Sequence, residues 1–179
     1  RLGYSDVEIV TPKNDNAYAD FSGGHGNRFR IAAWKGIVAV DLLRKFLQER
    51  KPYEITAGET NRVYKESLES VVKSTENGAG DIVRVMTESA EAFCEIKVRN
   101  GRRKPVIAVV GEIFMRDNAF CSGFLVDKLG ALGAETIMAP VREWLVYSTY
   151  RYWRDSVWKR NLTGLRKSKI QGIFQNYIT

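Results

Sequence analysis

Between Gly111 and Cys121 the chain reads GEIFMRDNAFC, which places two carboxylates, a guanidinium, an amide and a thiol within eleven residues. Glu112 can serve as an acid/base group or hydrogen-bond acceptor, and Arg116 can clamp an acidic group through two N–H donors. Asn118 can position a ligand or cap a following helix, and Gly111 lets backbone approach closely. The same residue types also suffice merely to turn the chain and cap a helix, and the sequence leaves both readings open. Cys121 falls near an expected helix N-terminus, where a thiolate is stabilised. Neither GxGxxG nor GxxxxGK(S/T) occurs in the chain, so it carries no dinucleotide fingerprint or phosphate-binding loop.

A second candidate is SGGHGNRFR at residues 22–30. Here Gly24, His25, Arg28 and Arg30 lead into a helix start, and backbone amides, a positive helix end and guanidinium groups would together favour phosphate or carboxylate. An ordinary flexible loop fits the same residues. His25 is the only histidine, so a Ser-His-Asp triad would have to use it, and no GxSxG elbow accompanies it. Cys94 sits beside Phe93 and Ala90 and reads as a small core residue.

The elements that must position these groups can be read from periodicity. Residues 6–10 (DVEIV) alternate as a short strand, and residues 13–26 form a long loop. From about Asn27 a helix carries two apolar stripes, one through Ile31, Trp34, Val38 and Leu42, so it is expected to be covered on most sides. Lys51-Pro52 ends it. Thr56 and Glu59 match a capping box for a second helix, which runs through Tyr64, Leu68, Val71, Val72 and Thr75 to Asn77-Gly78. A third helix opens at Asp81, with Val83, Met86, Ala90, Phe93 and Cys94 near one face. Arg99 to Lys104 form a basic joint around Asn100-Gly101.

Beyond the joint, residues 105–110 (PVIAVV) read as a strand buried on both faces of a parallel sheet. Residues 111–119 read as loop, Phe120 to Leu132 as a helix closed by Gly133, and residues 134–139 as a second strand. That order is one βαβ unit with an expected right-handed crossover. The expected fold class is thus α/β, a Rossmann-like parallel sheet with flanking helices. Residues 1–98 make a mainly helical part with a leading strand, and residues 105–179 a βαβ unit with an aromatic, basic helical tail.

The net charge is +7, but residues 1–141 carry only +1 of it, with 20 Lys+Arg against 19 Asp+Glu, and residues 142–179 carry +6. Trp144, Tyr147, Tyr150 and Trp153 interleave with Arg142, Arg151 and Arg154. Aromatics with arginine can bind single-stranded nucleic acid, yet their helical spacing favours packing against a core or partner. Two cysteines without CxxC spacing argue against a disulfide framework or a self-contained zinc site and suit a reducing cytoplasm. No apolar run approaches the roughly 18 residues that span a bilayer, so no membrane partner is expected. With Arg1 at its start, the sequence is expected to be a piece of a larger protein.

Three strings, IVTPKNDNAYADFSGGHGNRFRIAAWKGIVAVDLL, RKPYEITAGETNRVYKESLE and RKPVIAVVGEIFMRDNAFCSGFLVDKLGALGAETIMAPVREWLVY, resemble the acyl-CoA dehydratase activase-related family of anaerobes. These large proteins contain segments similar to the D-component of 2-hydroxyglutaryl-CoA dehydratase. The resemblance runs from about Leu2 to Tyr150, with VGEIFMRDNAF to EW as its most specific part. It implies Rossmann-like lobes and a role linked to ATP-driven electron transfer, through a 4Fe–4S cluster, to CoA thioesters. The cysteine-rich cluster motifs of the family are absent, so cluster and ATP would belong to the parent protein and its activase ATPase part. The implied role is a D-component-like accessory domain, not catalytic alone. Its rival is a structural module docking on the parent's other domains.

Overall fold

A computed structural model describes residues 26–158. The expected strand at residues 6–10, the loop bearing Gly24 and His25, and the tail beyond Trp158 lie outside the described residues. Along the chain come α1 (Gly26–Arg50), a 3-10 turn (Lys51–Tyr53), α2 (Glu59–Glu76), α3 (Ile82–Glu95), β1 (Val106–Val109), α4 (Ile113–Asp117), α5 (Leu125–Ala131), β2 (Glu135–Met138) and α6 (Val141–Trp158). The described residues are mostly helical, with a two-stranded parallel sheet that makes the class α/β.

Helix α1 is the axis of the molecule, because its two sides bind different partners. Ala32, Gly36, Ala39 and Leu43 are buried toward α2 and α3. The approach is close: a Cβ on Gly36 would lie 3.0 Å from Thr75 Oγ1. On another side Asp41, Arg44 and Gln48, spaced i, i+3, i+7, reach the βαβ unit and the start of α6. Gln48 Oε1 accepts from the N–H of Met138 at 3.2 Å, and the Asp41 carboxylate accepts from the N–H groups of Val141 and Arg142 at 3.1 and 3.0 Å. The helix is therefore covered on most sides, partly by polar stitching that apolar periodicity does not report.

The seam of α2 is Thr60, Val63, Ser67, Val71 and Ser74, all buried, while Val72 is exposed. Small hydroxyl residues at seven-residue spacing let helices approach, and Ser74 Oγ donates to Asp81 at the start of α3. Helix α3 buries Ile82, Val85, Ser89 and Phe93. Its buried face is thus rotated from the expected one: Val83 is 77% exposed and Cys94 is exposed, not core. Ser89 disguises the true stripe, since its hydroxyl donates to Val85 O at 2.8 Å and so tolerates burial.

The capping box at Thr56 and Glu59 does not form. Gly58, in the left-handed region at φ 86°, precedes α2 with no side-chain cap of its own. Glu54 takes over, accepting from the N–H of Gly58 and of Thr60, both at 2.8 Å. Burial raises the pKa of this carboxyl, but the hydrogen bonds from Gly58 and Thr60 and the charge of Lys51 outweigh it, so the group sits below its ordinary 4.5. A depressed carboxyl contributes stability above its unfolded pKa and loses it as pH falls through the folded value. Glu54→Ala is therefore expected to lower stability by about 1 kcal/mol at pH 7. In urea titrations the gap to wild type should shrink as the pH drops below about 4.5; a gap constant with pH would remove the cap.

In the second half, β1 and β2 pair in parallel, Val106 opposite Glu135 through Val109 opposite Met138. The order strand, helix, strand matches the sequence reading, and Gly133 at φ 88° closes α5, with Ala134 N–H reaching Leu129 O. Two details differ. The strand at residues 106–109 is not buried on both faces: Val106, Ile107 and Ala108 are exposed and only Val109 is buried. Among the described residues its one strand neighbour is β2, and helices α1 and α5 pack on β2, whereas burial of a parallel strand depends on layers over both its faces. Helix α5 starts at Leu125, later than expected, with Phe120 82% exposed before it.

Candidate functional site

Immediately beyond β1 the chain enters the loop singled out by its residue types. Gly111 has φ 143°, a conformation that L side chains rarely adopt. The turn leaves Glu112 at the N-cap of α4, a helix of five residues inside the segment expected to be loop. Its carboxylate accepts from Met115 N–H at 2.9 Å. That bond, followed by Phe114 N–H, holds the carboxyl below its ordinary 4.5. A carboxyl so held is ionised at neutral pH; it can accept a hydrogen bond or a proton but has none to give.

Arg116 turns back on the loop and donates to Gly111 O at 2.6 Å, and its Nε is buried without a partner among the described residues. Asn118 Oδ1 accepts from Cys121 N–H at 3.0 Å. It therefore caps the turn after α4 and not α5. Cys121 is partly buried in that turn, separated from the start of α5 by Ser122 to Phe124. Arg28 is exposed on the first turn of α1, apart from this loop's cleft.

What the loop builds is a wall. Asp117 forms an ion pair with Arg44 of α1, which draws α4 onto α1. Between α1, α2, α4 and the start of α6 lies an apolar cleft of about 1050 Å³. Ile37 and Val40 of α1, Val72 of α2, and Ile113 and Phe114 of α4 form its greasy surface. Asp41, Arg44, Glu76, Glu112, Asp117 and Asn118 supply its polar groups. The second carboxylate oxygen of Asp117, Oδ2, is buried with no hydrogen-bond partner among the described residues.

Of the expected site residues, Glu112 and Asn118 line this cleft, whereas Gly111 and Arg116 shape the loop behind it. Asp41 and Arg44 join them from a helix some seventy residues earlier in the chain. Residue type alone could not select them, although two charged residues inside an apolar helical stripe are a signal of polar contact. The cleft lies beyond the carboxyl end of a parallel strand, where open α/β sheets place ligands. No family of known proteins, no curated protein and no solved structure matches the chain.

Proposed function

We propose that the chain is a D-component-like accessory domain, built on a Rossmann-like lobe, of an activase-linked 2-hydroxyacyl-CoA dehydratase-type system. In this reading it contributes the acyl wall of a CoA-thioester site and is not catalytic alone. The cleft carries the proposal. Its volume is about that of small-molecule sites, which pair apolar walls with a few polar groups. Arg44, the cation on that wall, is engaged by Asp117. The cleft therefore suits an acyl chain better than the phosphates of CoA. A 2-hydroxyl on that chain would find an acceptor in Asp117, whose Oδ2 lacks a partner.

The described residues do not fit a 4Fe–4S cluster. Cys94 is exposed on α3, Cys121 lies in the turn after α4, and no three metal-ligating side chains converge among the described residues. In the proposed reading, cluster and ATP belong to other domains of the parent protein. Among the described residues no helix is long and apolar enough to cross a membrane.

Calorimetric titration with 2-hydroxyhexanoyl-CoA and with free CoA tests the reading. The acyl compound should bind about tenfold or more tightly than CoA, and Val72→Arg, at a position 46% exposed, should erase that difference. Equal affinities, or none, would sink the acyl site. The docking reading rests on a separate observation. Trp144, Tyr147, Tyr150 and Trp153 of α6 are each about half exposed, as are Val106 and Ile137 of the sheet, and such patches mark contact surfaces. Concentration-dependent self-association lost in Trp144→Ser together with Tyr147→Ser, with no acyl binding, would favour it.

A further inference from the structure

The basic joint at residues 99–104 was expected only to separate two parts of the chain. We propose that it is a binding site for a compact phosphorylated ligand, a pyrophosphate-sized group held by Arg99, Arg102 and Lys104 against Tyr53. These residues line a second pocket of about 320 Å³ that shares no residue with the acyl cleft. That volume is at the lower end for small-molecule sites, so the pocket suits a compact group.

The pocket is pinned, unlike a simple linker. Arg99 N–H donates to Tyr53 O at 2.8 Å and Ile55 N–H to Lys97 O at 3.0 Å, the bonds around an antiparallel bridge between Glu54 and Val98. The Tyr53 hydroxyl donates to Glu135 Oε2 at 2.8 Å and accepts from Lys104 N–H at 3.1 Å, which ties the joint to β2. Lys104 Nζ stands over the Tyr53 ring, 5.8 Å from its centre. The backbone is thereby fixed at Arg99 and at Lys104, on either side of Arg102, before any ligand arrives.

Charge balance supplies the ligand class. Arg62 and Arg84, on α2 and α3, pair with glutamates at i+4. Arg99, Arg102 and Lys104 form no ion pair among the described residues. One carboxylate, Glu54, shares the pocket wall, but its two oxygens are taken by the N–H groups of Gly58 and Thr60. Glu135 is likewise taken by Tyr53. Three cations thus face one carboxylate committed elsewhere. Gly101, between the two arginines, leaves open space where a side chain would stand, so an anion can approach its backbone. Two guanidinium groups suit the paired oxygens of phosphate better than a halide.

The phosphoryl group could belong to a nucleotide-like small molecule or to a nucleic-acid backbone, and the small volume of the pocket, about 320 Å³, favours the first. NMR titration of the full chain with sodium pyrophosphate at constant ionic strength tests the site. Saturable shifts are expected at Tyr53, Arg99, Gly101 and Arg102, with the amides of α2 unmoved. Arg99→Gln combined with Arg102→Gln should weaken binding about tenfold or more while leaving acyl-cleft binding intact. Shifts that never saturate, that sodium chloride reproduces, or that survive the double substitution would overturn the site. A single-stranded oligonucleotide forms the second arm. Affinity that grows with its length and falls steeply with salt would overturn the compact site, and affinity no greater than that of pyrophosphate would support it.

Discussion

Phe93→Ala is expected to lower the free energy of unfolding by about 3–5 kcal/mol, the usual loss for a large aromatic removed from a core. Phe93 is 2% exposed, and its ring lies 5.5 Å from that of Phe46 on α1 at an interplanar angle of 53°. It is the wedge between α3 and α1, held in the same buried cluster as Leu43, Val71, Val85 and Ile96. The cavity left behind cannot collapse easily, because α1 is tied on its other side to β2 and α6. Val83→Ala on the same helix, at a position 77% exposed, should change stability by less than about 0.5 kcal/mol. Urea unfolding of the two variants with unchanged slope separates the faces of α3. Comparable losses would place its buried face where the apolar residues alone suggest, through Val83 and Cys94.

Helix ends written in backbone chemistry could be read directly: Pro52 stops α1, Asn77-Gly78 stops α2, and Gly133 closes α5. The βαβ order followed from two short apolar runs separated by a helical one. Helix faces were harder, because three of the five seam positions of α2 are hydroxyl residues, Thr60, Ser67 and Ser74. A pattern of apolar residues cannot see such a seam. Helix α4 has five residues, too few to display a period, so it read as loop. Exposure of Val106 and Ile107 depends on which layers surround the sheet, and no local signal encodes that. The site was half legible for the same reason. Glu112 and Asn118 could be chosen by type within one loop, whereas Asp41 and Arg44 enter it only through the packing of α1 on α4 and α6.

Asp41 provides the test of that packing. Asp41 is 9% exposed, and its carboxylate accepts from two backbone N–H groups at the start of α6, a hundred residues away in the chain. Asp41→Ala strips a cap from α6 and leaves both donors without a partner, which costs about 1–3 kcal/mol. Helix α6 touches α1 but little else among the described elements, so the loss should appear first as local opening and not as global unfolding. Hydrogen exchange should therefore speed up about fivefold or more at Val141, Arg142 and the next turn of α6, while the amides of α2 and α3 keep their protection. Asp41→Asn, which retains one acceptor oxygen, should fall between. Because Asp41 and Val141 also line the acyl cleft, acyl-CoA affinity should drop in parallel with the exchange at α6. A fall in affinity with exchange unchanged would make Asp41 a ligand contact in its own right, and exchange raised with affinity intact would place the ligand away from this wall.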